Sequence, residues 1–412
     1  MAPMKRFIGI IGPGLLVAAT GIGAGDLATA SFAGSYLGTT VLWAAVVGAF
    51  LKFIVTEGLA RWQFATGSTL LEGVVAHLGR TVGWVFLAYL LLWSFFVGSA
   101  LISASGVTLH ALIPLFEDPE RGKIVFGIGA SLLGLVLALA GGYSLFETVM
   151  KVCIVFMLLT VLVTAAVVWP GTSDVLRGLF VPSLPGQGLD WTIALMGGIG
   201  GTVTVLCYGY WLREEGRSGP DALRTSRIDL GAAYALTGLF GIAMVIIGST
   251  VEIEGRGAGL LVTLAAQLEA ALGPGGKWIF LAGALGAVFS SLLGVWQAVP
   301  YLFADLWRML RDGQDGQPGN RAAVDTRSRA YRGYLFVLAL VPMAGLFVSF
   351  REVQKIYAVA GAWFIPALAL VLLLLNGRSS LVGARFRNRP ATVAALLLVL
   401  AFFSWIAIRS LT

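Results

Sequence analysis

The sequence is poor in charged residues, cysteine and histidine. Only 12% of its 412 residues are charged, against about a quarter in an average soluble protein. The two cysteines, Cys153 and Cys207, lie in separate apolar runs, and with two histidines they form neither a disulfide framework nor a Cys/His metal motif. No phosphate-binding loop and no nucleophile–base set is present. We therefore expect no enzyme activity, no ATP-driven pump and no cofactor.

Apolar residues make up 58% of the chain. Eleven runs approach or exceed the roughly 20 residues needed to cross a bilayer. They are too long and too uniformly apolar for barrel strands, which alternate. The sequence therefore predicts an all-α polytopic membrane protein, embedded in a lipid bilayer, with about 11 transmembrane helices. The predicted spans are Phe7–Tyr36, Val41–Trp62, Thr81–Leu112, Lys123–Gly141, Glu147–Trp169, Trp191–Leu212, Leu230–Val251, Lys277–Met309, Ala330–Ser349, Gln354–Leu375 and Ala391–Ser410.

The basic residues predict an orientation. The formal net charge is +7, but the Lys and Arg residues lie in short segments between the apolar runs, so membrane topology explains them better than nucleic-acid binding does. If the N-terminus is cytoplasmic, most of the 28 Lys and Arg residues fall on the inner side. We therefore expect the N-terminus inside, the C-terminus outside, and a prokaryotic-type inner or plasma membrane. The polar segment Asp312–Asn320 is then an inner, flexible linker.

Two glycine clusters interrupt predicted spans at matching places. TGIGAGD (Thr20–Asp26) lies in the first span, and MGGIGGT (Met196–Thr202) lies in the sixth, five spans later. Because five is odd, the second copy of a five-span unit would be inverted. Glycine-interrupted helices at corresponding positions of two halves are typical of a substrate site in an inverted-repeat transporter, whereas close helix packing is the simpler alternative. We predict that both helices are unwound, at Gly21–Gly25 and Gly197–Gly201, and face each other.

Two charged residues of these spans have competing interpretations. A carboxylate near the bilayer centre costs roughly 3 kcal/mol or more, so Asp26 is a candidate substrate contact. Its alternative role is to cap the half-helix that follows it, and the two roles can coexist. Lys52, in the second span, has a side chain that could extend along the helix and bring its ammonium to the membrane interface.

Several segments resemble one family. GPGLLVAATGIGAGDLATASFAGSYLG (Gly12–Gly38) is similar to the first helix of the Nramp family of divalent-metal transporters, and EGLARWQFATGSTLLEG (Glu57–Gly73) is similar to the end of its second helix. GGIGGTVTV, LALVP and AWFIPALAL resemble its helices six, nine and ten. The resemblance implies a single domain of the LeuT type, with broken helices one and six, inverted repeats over about residues 7–170 and 191–375, and an extra helix over about 391–410.

The chain departs from the family where the family binds metal. Family members carry DPGN in helix one, and here the Asp position is Gly23 and the Asn position is Asp26. The family's helix-six MPH corresponds to Thr204, Val205 and Leu206, so the Met sulfur and the His are both missing. The acidic residues of helix three are absent as well. The resemblance leaves Gly201, through its main-chain carbonyl, as a ligand.

The donors that remain are mostly hard oxygens. They comprise the Asp26 carboxylate, the Thr20 and Thr204 hydroxyls, and carbonyls freed near Gly23 and Gly201; Cys207 would add sulfur, although a lone cysteine is more often plain core. Oxygen ligands suit Mg²⁺, Ca²⁺ or Mn²⁺, and a Gly in place of an Asp should widen the cavity for a hydrated ion. The leading hypothesis is a secondary transporter or uncoupled facilitator of such a cation. A carrier of a small organic solute and a non-transporting receptor or scaffold are the alternatives.

Overall fold

The computed structural model describes residues 12–23, 25–140, 143–184, 188–219, 222–251, 257–311 and 324–409. Within these ranges the chain is helical and contains no strand. The α-helices are α1 Pro13–Gly21, α2 Ala30–Leu37, α3 Leu42–Thr66, α4 Leu70–Leu78, α5 Arg80–Leu112, α6 Pro119–Ala140, α7 Tyr143–Val167, α8 Thr172–Phe180, α9 Leu189–Gly198, α10 Cys207–Glu214, α11 Ala222–Gly248, α12 Leu260–Leu272, α13 Pro274–Arg311, α14 Arg329–Leu340, α15 Phe350–Ala362, α16 Phe364–Asn376, α17 Ser379–Phe386 and α18 Pro390–Arg409.

The long apolar helices make this an integral membrane protein. Among the described residues, eight helical stretches are long and apolar enough to cross a membrane, or nine if the bent pair Val155–Val167 and Thr172–Phe180 is one span. The number is below eleven partly because Asp26–Thr66 is one helical stretch of 41 residues, which holds the second half of predicted span one and all of span two. The last predicted span is a shorter apolar helix, Pro390–Trp405.

Four short helices connect the spans and were not predicted: α4, α8, α12 and α17. The first of them has a recognisable sequence signal. Thr69 accepts a hydrogen bond from the main-chain amide of Glu72, and the Glu72 carboxylate accepts one from the Thr69 amide. This reciprocal capping box explains why a helix begins directly after α3.

Four predictions concern features beyond these helices. Asp312–Asn320 lies outside the described residues, and so does the start of the first predicted span. The division into two inverted repeats stays a prediction, as does the orientation in the membrane.

Candidate substrate site

Both glycine clusters interrupt their helices, as predicted. The first helix ends at Gly21 and resumes with a π-helical turn over Gly25–Thr29 before α2. The sixth predicted span ends α9 at Gly198 and resumes at Val203 with a turn of 3-10 helix before α10. Gly200 and Gly201 both have φ of +75°, a conformation that glycine adopts without steric cost. Each break therefore leaves main-chain groups without helical partners.

The two breaks lie against each other. A Cβ atom added to Gly21 would be 2.6 Å from the carbonyl carbon of Gly200, and one added to Gly201 would be 3.3 Å from the Cα of Gly21. Only glycine permits the main chains to approach this closely. The prediction that the unwound segments face each other is confirmed.

Asp26 lies at this crossing, in the π-helical turn of the first break. It is fully buried. Its Oδ2 accepts a hydrogen bond from the main-chain amide of Gly200 at 3.4 Å, and its Oδ1 is buried without a hydrogen-bond partner. A carboxylate oxygen that is enclosed and unpaired is costly, and a bound cation would satisfy it.

The Lys52 ammonium does not lie at the membrane interface, so that interpretation of Lys52 is wrong. Its side chain is 1% exposed and runs from α3 into the break between α9 and α10. The ammonium donates hydrogen bonds to the carbonyls of Gly197 and Ile199, each at 3.1 Å, and also to the carbonyl of Gly201. It therefore does not reach the membrane interface. The missed signal was its place near the middle of a span, where a charge is by default functional.

Helix α13 closes one side of the crossing. Ser291 donates from its hydroxyl to the Thr20 carbonyl at 2.5 Å, and a Cβ on Gly23 would overlap the Ser291 hydroxyl oxygen. The space next to Gly23 is thus occupied by Ser291. The expectation that Gly23 widens the cavity is wrong, because a neighbouring helix has moved into the volume that an Asp side chain would need.

The other predicted site residues are distributed around the crossing. The Thr20 hydroxyl is buried without a hydrogen-bond partner. Thr204 is 5% exposed, and its hydroxyl would be 2.7 Å from a Cβ on Gly201, so these two are neighbours. The thiol of Cys207 donates to the carbonyl of Ala298 at 3.7 Å. Within the described ranges, no three His, Cys, Asp or Glu side chains are grouped as a metal site, so any cation here would rely on main-chain and hydroxyl oxygens besides Asp26.

One end of the site is closed by Asp229 of α11. Its carboxylate accepts hydrogen bonds from the main-chain amides of Gly12 and Gly14, at 3.1 and 2.8 Å, and from the Tyr208 hydroxyl at 3.4 Å. A carboxylate at the start of a helix satisfies its free amides. Asp229 thereby ties the beginning of α1 to α10 and α11.

The opposite end is closed by aromatic side chains. The rings of Tyr36 at the end of α2 and Trp191 at the start of α9 stack with centroids 5.4 Å apart. The Arg351 guanidinium on α15 lies 5.4 Å from the Tyr36 ring centroid, within the range of a cation–π interaction. Asp26 and Thr20 are both buried, so the crossing itself is closed to solvent.

A family model matches nearly the whole chain. Residues 14–412 match the Nramp family, described as natural resistance-associated macrophage protein-like. The metal transporter Nramp6.2 of Populus trichocarpa is 28% identical over 258 residues, which are 60% of this chain and 46% of the relative. The chain thus spans about half the length of the curated relatives it matches first. The divalent metal cation transporter MntH of Aeromonas hydrophila is 23% identical over 97% of this chain and 94% of its own.

Solved structures show the same fold. A manganese transporter from Eremococcus coleocola, crystallised as a mutant, matches 99% of this chain and 87% of its own with a TM-score of 0.71 at 17% identity. MhsT in complex with L-phenylalanine matches 96% of both chains with a TM-score of 0.60 at 16% identity. The predicted LeuT-type, all-α class is confirmed.

Proposed function

The chain belongs to the Nramp family, and on this premise we propose that it is a secondary transporter or uncoupled facilitator of a hard divalent cation such as Mn²⁺ or Mg²⁺. The observation that carries the proposal is the environment of the Asp26 carboxylate. Its carboxylate is fully buried where two broken helices cross, and one oxygen has no hydrogen-bond partner. An intramembrane carboxylate in such a position is a functional site by default.

The proposed ligands are oxygens of the crossing. Asp26 supplies the charge, the carbonyls of Gly23 and Gly201 supply main-chain oxygens, and Thr20 and Thr204 supply hydroxyls. This set suits Mn²⁺, Mg²⁺ or Ca²⁺ more than a soft metal, which prefers sulfur. Cys207 is a nearby source of sulfur, and its thiol already donates to the carbonyl of Ala298.

Transport would proceed by alternating access. Opening the Asp229 end requires α1 and α10 to separate from α11, and opening the aromatic end requires Tyr36 to leave Trp191. Movement of half-helices about a fixed central site is the usual mechanism in such folds.

The names of the Populus and Aeromonas relatives support a metal cargo. We place the N-terminus inside and the C-terminus outside on the distribution of basic residues.

A second candidate is favoured by Lys52. When both groups are ionised, its ammonium and the Asp26 carboxylate carry opposite charges, and the site is then balanced without cargo. A balanced site also suits a small organic solute that is neutral or zwitterionic. A non-transporting receptor or scaffold is the third alternative.

Uptake into liposomes tests the proposal. We expect the purified protein to carry Mn²⁺ or Mg²⁺, and Asp26→Ala to abolish uptake while the protein still elutes as a folded species. Asp174→Ala is the matched control, because this carboxylate is exposed on α8. Equal uptake by Asp26→Ala and the unmodified protein would contradict the assignment, and calorimetric titration with Mn²⁺, Mg²⁺, Ca²⁺ and Cd²⁺ would rank the cations.

A further inference from the structure

The ammonium of Lys52 has a complete set of acceptors in the broken helix. It donates to the carbonyls of Gly197, Ile199 and Gly201, which equals the three donors that an ammonium has. Gly197 lies in the last turn of α9, where carbonyls lack helical partners. Ile199 and Gly201 belong to the break itself. All three acceptors are main-chain oxygens.

This arrangement has the chemistry of a cation site. Convergent carbonyls at the C-terminal end of a half-helix attract cations, because the oxygens carry partial negative charge and the negative end of the helix dipole lies there. A positive charge already occupies the place, and it is tethered to α3. The Gly201 carbonyl that we propose as a ligand for the cargo is one of its acceptors.

We propose that Lys52 is a tethered competitor of the transported cation: its ammonium fills the cation-binding end of the broken helix, and the cargo binds there only when Lys52 withdraws. This inference rests on the proposed function, since it specifies how that site selects and admits a cation. A divalent ion beside an ammonium would be repelled strongly where water is excluded. The state with Lys52 in place is therefore not competent for the cargo, and the affinity measured for the whole population is lowered accordingly.

A purely structural role for Lys52 predicts something different. As a cap for α9 it would stabilise the fold, and its loss would lower the melting temperature without strengthening cation binding. Lys123 shows what a structural buried lysine looks like here. Its ammonium, also inaccessible to solvent, is paired with the carboxylate of Glu120 at 2.8 Å and with the carbonyl of Val348.

The experiment is calorimetric titration of Mn²⁺ into the full-length protein and three variants. Lys52→Met keeps an unbranched stem and removes the charge, whereas Lys52→Arg keeps the charge. Lys123→Met removes a lysine of equal burial away from the crossing. Lys52→Gln replaces Lys52→Met if the latter fails to fold, because the neutral amide still donates to the carbonyls.

We expect Lys52→Met to bind Mn²⁺ at least about tenfold more tightly. If Lys52 leaves the site in about 10% or less of the unmodified molecules, the apparent Kd of the unmodified protein is about tenfold or more above the intrinsic Kd. Lys52→Arg and Lys123→Met should bind like the unmodified protein. If the unmodified protein binds and carries Mn²⁺ but folded Lys52→Met binds it equally or more weakly, the inference is wrong and the proposed function stands. If neither the unmodified protein nor Lys52→Met binds or carries Mn²⁺, Mg²⁺, Ca²⁺ or Cd²⁺, the inference and the proposed function are both wrong.

Discussion

The main-chain amide of Gly200 donates to Oδ2 of Asp26 at 3.4 Å, and this contact joins the two broken helices directly. The donor lies in a residue with φ of +75°, so the amide points at the carboxylate only because the sixth-span helix is interrupted there. One carboxylate oxygen thus accepts a hydrogen bond from the opposite break, and the other is buried without a hydrogen-bond partner.

Removing the charge of Asp26 should weaken cation binding far more than removing a neighbouring hydroxyl. We expect Asp26→Asn to raise the Kd for Mn²⁺ by at least about tenfold, since a hydrogen bond or ligand contact to a charged group contributes about 1.5–3 kcal/mol. Thr204→Ala should cause a smaller increase. The measurement is calorimetry in detergent, and equal losses for the two variants would contradict the central place of the carboxylate.

The helix crossing should not tolerate a methyl group at Gly21. A Cβ there would meet the Gly200 carbonyl carbon at 2.6 Å, and overpacking of this kind typically costs about 1–3 kcal/mol. We expect Gly21→Ala to lower the melting temperature and abolish uptake. Gly129→Ala is the control, because nothing lies within 4 Å of its added Cβ; it should be neutral or slightly stabilising. An unchanged melting temperature for Gly21→Ala would show that the main chains do not meet.

Loss of Asp229 should loosen one end of the site. The Asp229→Ala variant leaves the amides of Gly12 and Gly14 without their acceptor, so α1 should separate more often from α11. We expect faster alkylation of the buried thiol of Cys207 in a Cys153→Ser background. Asp174→Ala in the same background should leave the rate unchanged, and a rate equally slow in Asp229→Ala would mean that other contacts hold this end closed.

Cation flux should be uncoupled from protons and should not favour soft metals such as Cd²⁺. The family's helix-one Asp, helix-six Met and His, and helix-three acids have no counterpart at the matching positions of the sequence. Intramembrane proton relays use Asp, Glu or His, so coupling would require Asp26 to exchange a proton for the cargo. We expect Mn²⁺ or Mg²⁺ uptake without acidification of liposomes that contain a pH dye. Cd²⁺ uptake with acidification, not reduced by excess Mg²⁺, would show that the family's usual chemistry persists by another route.

The sequence predicts local features of the site better than its contacts. The breaks at Gly21 and Gly200 follow from glycine density, and the burial of Asp26 follows from its place in an apolar run. The hydrogen-bond acceptors of Lys52 could not be predicted, because all three are main-chain carbonyls and the side-chain sequence does not show which carbonyls converge. The same holds for Gly23, whose free volume depends on how closely Ser291 approaches from a helix that is distant in the sequence.

The opposite charges of Asp26 and Lys52 have an electrical consequence for a carrier. When both are ionised, the unloaded site has no net charge, so the membrane voltage does no work on its return. With Lys52 withdrawn, the Asp26 carboxylate and a bound divalent cargo together carry a net charge of +1. Each elementary charge moved through 100 mV corresponds to about 2.3 kcal/mol. A membrane potential would therefore drive the loaded step alone and set the direction in which the cation accumulates.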